Sequence, residues 1–181
     1  MGRRSKGREY AMLTLFPHYL AGEDAEQSFT YLLEERKPGE IVKNFAAELF
    51  RGVLREQDAL DSLISANLRN WSFKRIGNLE KVVLRLATYE LQNKVEVPAT
   101  VIINEAVQLA ELYCEEKAAK FVNGVLSGVA SQLNRDPAND PGEWIDEFDQ
   151  DGNEDEFIDL DDEDEELEAE LNGLDEESDK N

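Results

Sequence analysis

Ile41, Val42, Phe45, Ala46, Leu49, Phe50, Val53 and Leu54 return three or four positions apart, a spacing that a helix turns into one continuous apolar face. After a gap near Gln57, where a break is expected, Leu60, Leu63, Ile64 and Leu68 resume the same period. No pair of segments alternates at period two as a sheet requires, so the pattern specifies an all-α fold.

The remaining segments follow suit. Ala11, Leu15 and Phe16, flanked by Met12 and Leu13, define a first helix that Pro17 is expected to kink or end. A second helix, residues 24 to 36, presents Phe29, Leu32 and Leu33 and stops before Pro38 and Gly39. Trp71, Phe73 and Gly77 mark a connection, after which Asn78 serves as N-cap for Leu79, Val82, Val83, Leu86, Ala87, Tyr89 and Leu91. That helix is apolar over more than a stripe and should be central. Val101, Ile102 and Ile103 could form a strand, but the apolar positions beyond them keep helical spacing through Ala110, giving a helix from near Thr100. The last helix carries Phe121, Val122, Val125, Leu126, Val129 and Leu133, and Pro137 and Pro141 end the folded part. The expectation is a compact bundle of about seven helices over residues 1 to 135.

Charge divides the chain at the same place. The formal net charge is -22, yet residues 1 to 135 hold 18 of the 19 Lys and Arg and 18 of the 41 Asp and Glu. Residues 136 to 181 therefore carry one base against 23 acids, a low-complexity composition expected to be disordered. Trp144, Ile145, Phe148, Phe157, Ile158, Leu160, Leu167, Leu171 and Leu174 recur within it, so the tail either docks on something or only solubilises. At the other end Arg3, Arg4, Lys6 and Arg8 occupy eight residues without an acid before Glu9. They make either a phosphate-binding patch or a frayed, solubilising terminus.

Catalytic chemistry has little to work with. The single cysteine, Cys114, rules out an intramolecular disulfide and a multi-cysteine zinc site and fits a reducing, cytoplasmic setting. One histidine, His18, excludes a two-histidine metal site, and the glycines are scattered instead of forming a phosphate loop. Residues 147 to 158 imitate a calcium loop, but Ile158 stands where the bidentate carboxylate belongs and Glu154 where an apolar residue is usual. No enzyme, metal or cofactor is expected. No apolar run reaches the roughly 20 residues needed to span a bilayer.

Three segments stand in order: Arg8-Glu9-Tyr10-Ala11 leading to Leu15-Phe16, the run from Leu84 to Leu91, and Val97-Pro98 with Ile103 to Ala110 followed by Lys120-Phe121-Val122-Asn123-Gly124-Val125-Leu126. Together they resemble the NusB family of transcription antitermination factors. The resemblance covers about residues 3 to 133. It implies an all-helical fold and binding to the boxA single-stranded RNA of ribosomal RNA operons. Binding is implied together with NusE, a small-subunit ribosomal protein, and other Nus factors in an elongating RNA polymerase complex.

The resemblance also implies sites. RNA contacts fall on Arg3, Arg4, Lys6, Arg8, Phe16, Lys120, Phe121 and Asn123, where guanidinium groups suit phosphates and rings and amides suit unstacked bases. Phe121 could equally be core and Asn123 an internal hydrogen-bonding residue. Phe16 stands where the family commonly has tyrosine, so any hydroxyl contact there is lost. The NusE face is placed at Glu80, Arg85, Tyr89, Asn104 and Glu105. Pro17, His18 and the acidic tail depart from the family pattern. Two alternatives stay open: a NusB-like module retuned for protein contacts, and the NusB-like head of an RNA methyltransferase. The second needs a following cofactor domain and a catalytic cysteine, which the remaining 46 acidic, cysteine-free residues do not supply. Monomer and dimer are equally compatible with the sequence.

Overall fold

A computed structural model of the chain describes residues 2–69, 71–115 and 117–135. The acidic tail, its apolar positions and the calcium-loop imitation at 147–158 lie outside the described residues. Six α-helices follow one another: α1 Arg3–Ala21, α2 Ala25–Arg36, α3 Glu40–Ala66, α4 Asn78–Asn93, α5 Ala99–Tyr113 and α6 Ala118–Gln132, with a short 3-10 turn at Phe73–Arg75. No strand occurs among the described residues, and none of their helices is long and apolar enough to cross a membrane.

Six helices stand where about seven were expected because α3 does not break at Gln57. It runs 27 residues, about 40 Å at 1.5 Å per residue. Val53, Gln57, Leu60 and Ile64 lie on one stripe, so Gln57 is a polar residue on the inward face and not an interruption. Its side-chain oxygen accepts a 3.0 Å hydrogen bond from the Tyr19 hydroxyl, and with no Gly or Pro between Leu54 and Leu60 nothing in the backbone stops the helix.

Pro17 likewise fails to end α1, which runs on to Ala21. Proline removes one backbone donor, so only the Leu13 carbonyl loses its helical partner. The final turn is held from outside by Tyr19, whose ring also lies 4.2 Å from the Arg85 guanidinium. Gly22, at φ 75°, then closes the helix with a 2.9 Å bond from its N–H to the His18 carbonyl. At the other end α1 begins at Arg3, so the basic residues form its first two turns and not a frayed terminus. Two further boundaries are set by local chemistry. Asp24 caps α2 by accepting from the Gln27 N–H at 2.9 Å, while α4 is capped by Gly77, with Asn78 as its first helical residue.

Helix α4 is the centre of the bundle. Every residue from Val82 to Leu91 is buried, and the helix packs against α1, α3, α5 and α6. Gly52 of α3 explains how closely α3 and α4 approach: a Cβ there would lie 2.2 Å from the Tyr89 ring, so Tyr89 fills the space that any side chain would need. At the C-terminal end Arg135 donates 2.7 Å from Nη1 to the Leu91 carbonyl and from Nη2 to the Val97 carbonyl. The guanidinium thereby clamps the α4–α5 connection just where the described chain stops.

Candidate nucleic-acid interface

The α5–α6 connection and the chain leading into α4 converge on two aromatic rings. Phe121 sits in the first turn of α6, half-buried against the core. Trp71, in the irregular segment after α3, is 54% exposed. Their ring centroids are 6.3 Å apart at 55°, and the Arg75 guanidinium lies 5.2 Å from the Trp71 centroid, within cation–π range. A cleft of about 510 Å³ opens here, lined by both rings, Arg75, Ile76, Gly77, Glu80, Glu115, Lys117 and Ala118. Lys120 and Asn123 are exposed on the same helix as Phe121. Exposed aromatic surface, flanking cations and a cleft between them are what an unstacked base and its phosphates require.

The N-terminal cations are not equivalent. Arg3, Arg4 and Lys6 are half-buried along the start of α1, with the Arg4 guanidinium 5.6 Å from the Phe45 ring and Lys6 Nζ 3.0 Å from the Glu9 carboxylate. Arg8 faces inward: its side chain is 4% exposed. Its Nε donates to both Glu90 carboxylate oxygens at 2.9 and 3.2 Å, and Nη2 donates to Oε2 at 2.7 Å. Glu105 lies 3.4 Å from Nη1. A guanidinium held this way ties α1 to α4 and α5 and has its bidentate edge committed to Glu90. Phe16 is half-buried and outside the core cluster. The Tyr113 hydroxyl donates to Glu9, joining the end of α5, next to the aromatic cleft, to the basic start of α1.

The five residues assigned to a partner face differ in exposure. Glu80 lines the aromatic cleft. Arg85 is buried, donating from Nε and Nη2 to the two Asp61 oxygens at 2.7 and 2.8 Å, and Tyr89 is buried against Gly52. Only Asn104, exposed, and Glu105, half-buried beside Arg8, present α5 outward. Charged and phenolic side chains read as surface in a sequence, but Arg85 is paired and Tyr89 is matched to a glycine. Sequence reasoning did not single out Trp71, Arg75 and Lys117, which line the aromatic cleft. The available signal was a tryptophan followed four residues later by arginine in a connection containing Arg69 and Lys74.

Cys114 lacks the character of a nucleophile. Burial, with a lesser contribution from the Glu80 carboxylate, pushes its thiol up to about 11, so little thiolate exists near neutrality. The His18 ring is engaged elsewhere, Nδ1 donating 2.7 Å to the Glu23 carbonyl. No group of three or more potential metal ligands occurs among the described residues.

Comparison with known proteins converges on one family. The NusB family model matches residues 5–131. The transcription antitermination protein NusB of Bacillus pumilus (strain SAFR-032) is 39% identical over 133 residues, 74% of this chain and 98% of the relative. Among solved structures, T. maritima NusB superposes with a TM-score of 0.66 at 36% identity, covering 71% of this chain and 91% of that one. A chain from the crystal structure of antitermination factors NusB and NusE in complex with dsRNA gives 0.65 at 31% identity, covering 72% and 97%. A match to the family model over most of the folded region, with these relatives covered almost end to end, establishes that the chain belongs to the NusB family.

Proposed function

We propose that this protein is a transcription antitermination factor that binds boxA-type RNA of ribosomal RNA operons together with NusE in an RNA polymerase elongation complex. It is a binding protein and not an enzyme. The observation that carries this reading is the Trp71–Phe121 cleft with its Arg75, Lys117 and Lys120 cations, set in a chain of the NusB family. The relative solved with NusE and dsRNA supports both partners. The binding unit is residues 1 to 135, with Arg3, Arg4 and Lys6 holding phosphates, Phe121 and Asn123 meeting bases, Lys120 adding charge and Phe16 a ring contact. Asn104 and Glu105 are the outward positions left for NusE, and residues 136 to 181 are an acidic appendage.

The test is a gel shift of full-length protein with boxA RNA, a scrambled RNA and a boxA duplex, each with and without NusE. Preference for single-stranded boxA that NusE strengthens is expected. Equal binding to all three RNAs, indifferent to NusE, would overturn the assignment. The internal pairing of Arg8 favours a second reading, a NusB-like protein-interaction module with reduced RNA binding. NusE binding without any RNA shift would select it.

A further inference from the structure

The aromatic cleft contains more than a stacking surface. Its walls are Trp71 and Phe121, its cations Arg75 and Lys117, and two carboxylates, Glu80 and Glu115, also line it. Cations and rings alone would accept any nucleotide, since every base has a π-face. Carboxylates add discrimination because an ionised carboxyl only accepts hydrogen bonds. A base edge rich in acceptors is repelled by it, and an edge with adjacent N–H donors can satisfy both oxygens of one carboxylate.

Glu80 is well placed for such a task. It lies in the first turn of α4, and its carboxylate reaches back over Gly77, where a Cβ would fall 2.1 Å from Oε2. Glycine at 77 thus leaves room for the carboxylate in the wall of the cleft. On the basis of the RNA-binding reading above, we infer that the cleft is a guanine-selective pocket for one nucleotide of single-stranded RNA. The base stacks on Trp71, its N1–H and N2 amino group donate to Glu80, and Arg75 and Lys117 attend the flanking phosphates. Uracil offers one N–H between two carbonyl oxygens and is disfavoured.

Tryptophan emission reports on this cleft directly. The chain has two tryptophans, so full-length protein carrying Trp144→Phe, excited at the red edge where tyrosine does not absorb, reports on Trp71 alone. The probes are nine-nucleotide oligouridylates with guanosine, inosine or uridine at the central position, followed in parallel by filter binding. The guanosine oligomer is expected to quench Trp71 and to bind more tightly than the uridine oligomer, with inosine, lacking the N2 amino group, in between. Glu80→Gln should abolish the guanosine preference. In the Trp144-containing chain, followed by filter binding, Trp71→Ala should weaken binding about 5- to 150-fold and Trp71→Phe should restore part of it. RNA that binds without changing Trp71 emission would overturn the pocket while leaving the RNA-binding reading intact. Equal affinity for guanosine and uridine oligomers would overturn the selectivity. Quenching by an arginine-rich peptide with no RNA binding would overturn both, making the rings and carboxylates a seat for a basic protein side chain.

Discussion

In an Arg8→Ala variant the Glu90 carboxylate, 2% exposed, loses the guanidinium that bonds both its oxygens at 2.7 to 3.2 Å. Breaking one side of a buried pair costs about 3–5 kcal/mol, because the remaining charge stays desolvated. Glu105, 3.4 Å from Arg8 and 20% exposed, retains water and adds less. Against a total stability of about 5–15 kcal/mol the variant keeps a folded population wherever the parent stability exceeds that loss. At about 2 kcal/mol per molar urea its unfolding midpoint falls by about 1.5–2.5 M. Arg8→Met combined with Glu90→Leu recovers most of the loss, since apolar groups can replace a buried pair at little cost. Urea titrations followed by circular dichroism give the midpoints, and RNA titrations in native buffer give the affinity of folded protein. That affinity and its salt slope should be unchanged by Arg8→Ala, whereas alanine at Arg3, Arg4 and Lys6 flattens the slope by about 0.7 per lost phosphate contact. An Arg8→Ala protein with an unaltered midpoint and a shallower salt slope would refute the reasoning and return Arg8 to the RNA surface.

Gly52→Ala should lower the melting temperature, because overpacking against the Tyr89 ring costs about 1–3 kcal/mol and outweighs the helix-propensity gain of about 0.5–1 kcal/mol; a raised melting temperature would contradict the close approach. The alkylation rate of Cys114 by iodoacetamide should rise with pH through an inflection near 11, since the folded protein holds the thiol protonated well above its ordinary value of 9.0; an inflection at or below 9 would exclude the buried environment. Deleting residues 136 to 181, with their 23 acids and one base, should tighten RNA binding at low salt, and the difference should shrink as the screening length falls to about 10 Å at 0.1 M. Equal affinities of the two proteins at every salt concentration would mean that the tail does not compete.

Helices α2, α4, α5 and α6 were legible because apolar residues at helical spacing bury themselves wherever the helix packs, and that information is local. Gln57 and Pro17 misled for the opposite reason. Gln57 interrupts an apolar pattern and Pro17 removes a backbone donor, and both are accommodated through Tyr19, which bonds the first and anchors the turn after the second. Arg8 and Arg85 show the same limit at the level of function. Arg8 lies 82 positions from Glu90, and Arg85 lies 24 from Asp61, so a pattern read along the chain reveals a cation but not its partner. Phe121 was recognisable from a motif, whereas Trp71 belongs to a connection without periodicity and gains meaning only beside Phe121.

The Arg135 clamp has a consequence for the order in which a newly made chain can mature. The carbonyls it holds belong to Leu91 and Val97, and Leu91 is made 44 residues before the arginine. At about 5–20 residues per second of synthesis, that interval is about 2–9 s. For the first 26 of those residues, before Ala118 begins α6, α4 is present without the helix that completes its burial. The nascent protein therefore passes through a stage of seconds with one flank of its central helix uncovered. Ribosome pausing before Arg135 has emerged prolongs that stage, and the guanidinium fastens the domain only once it has left the ribosome.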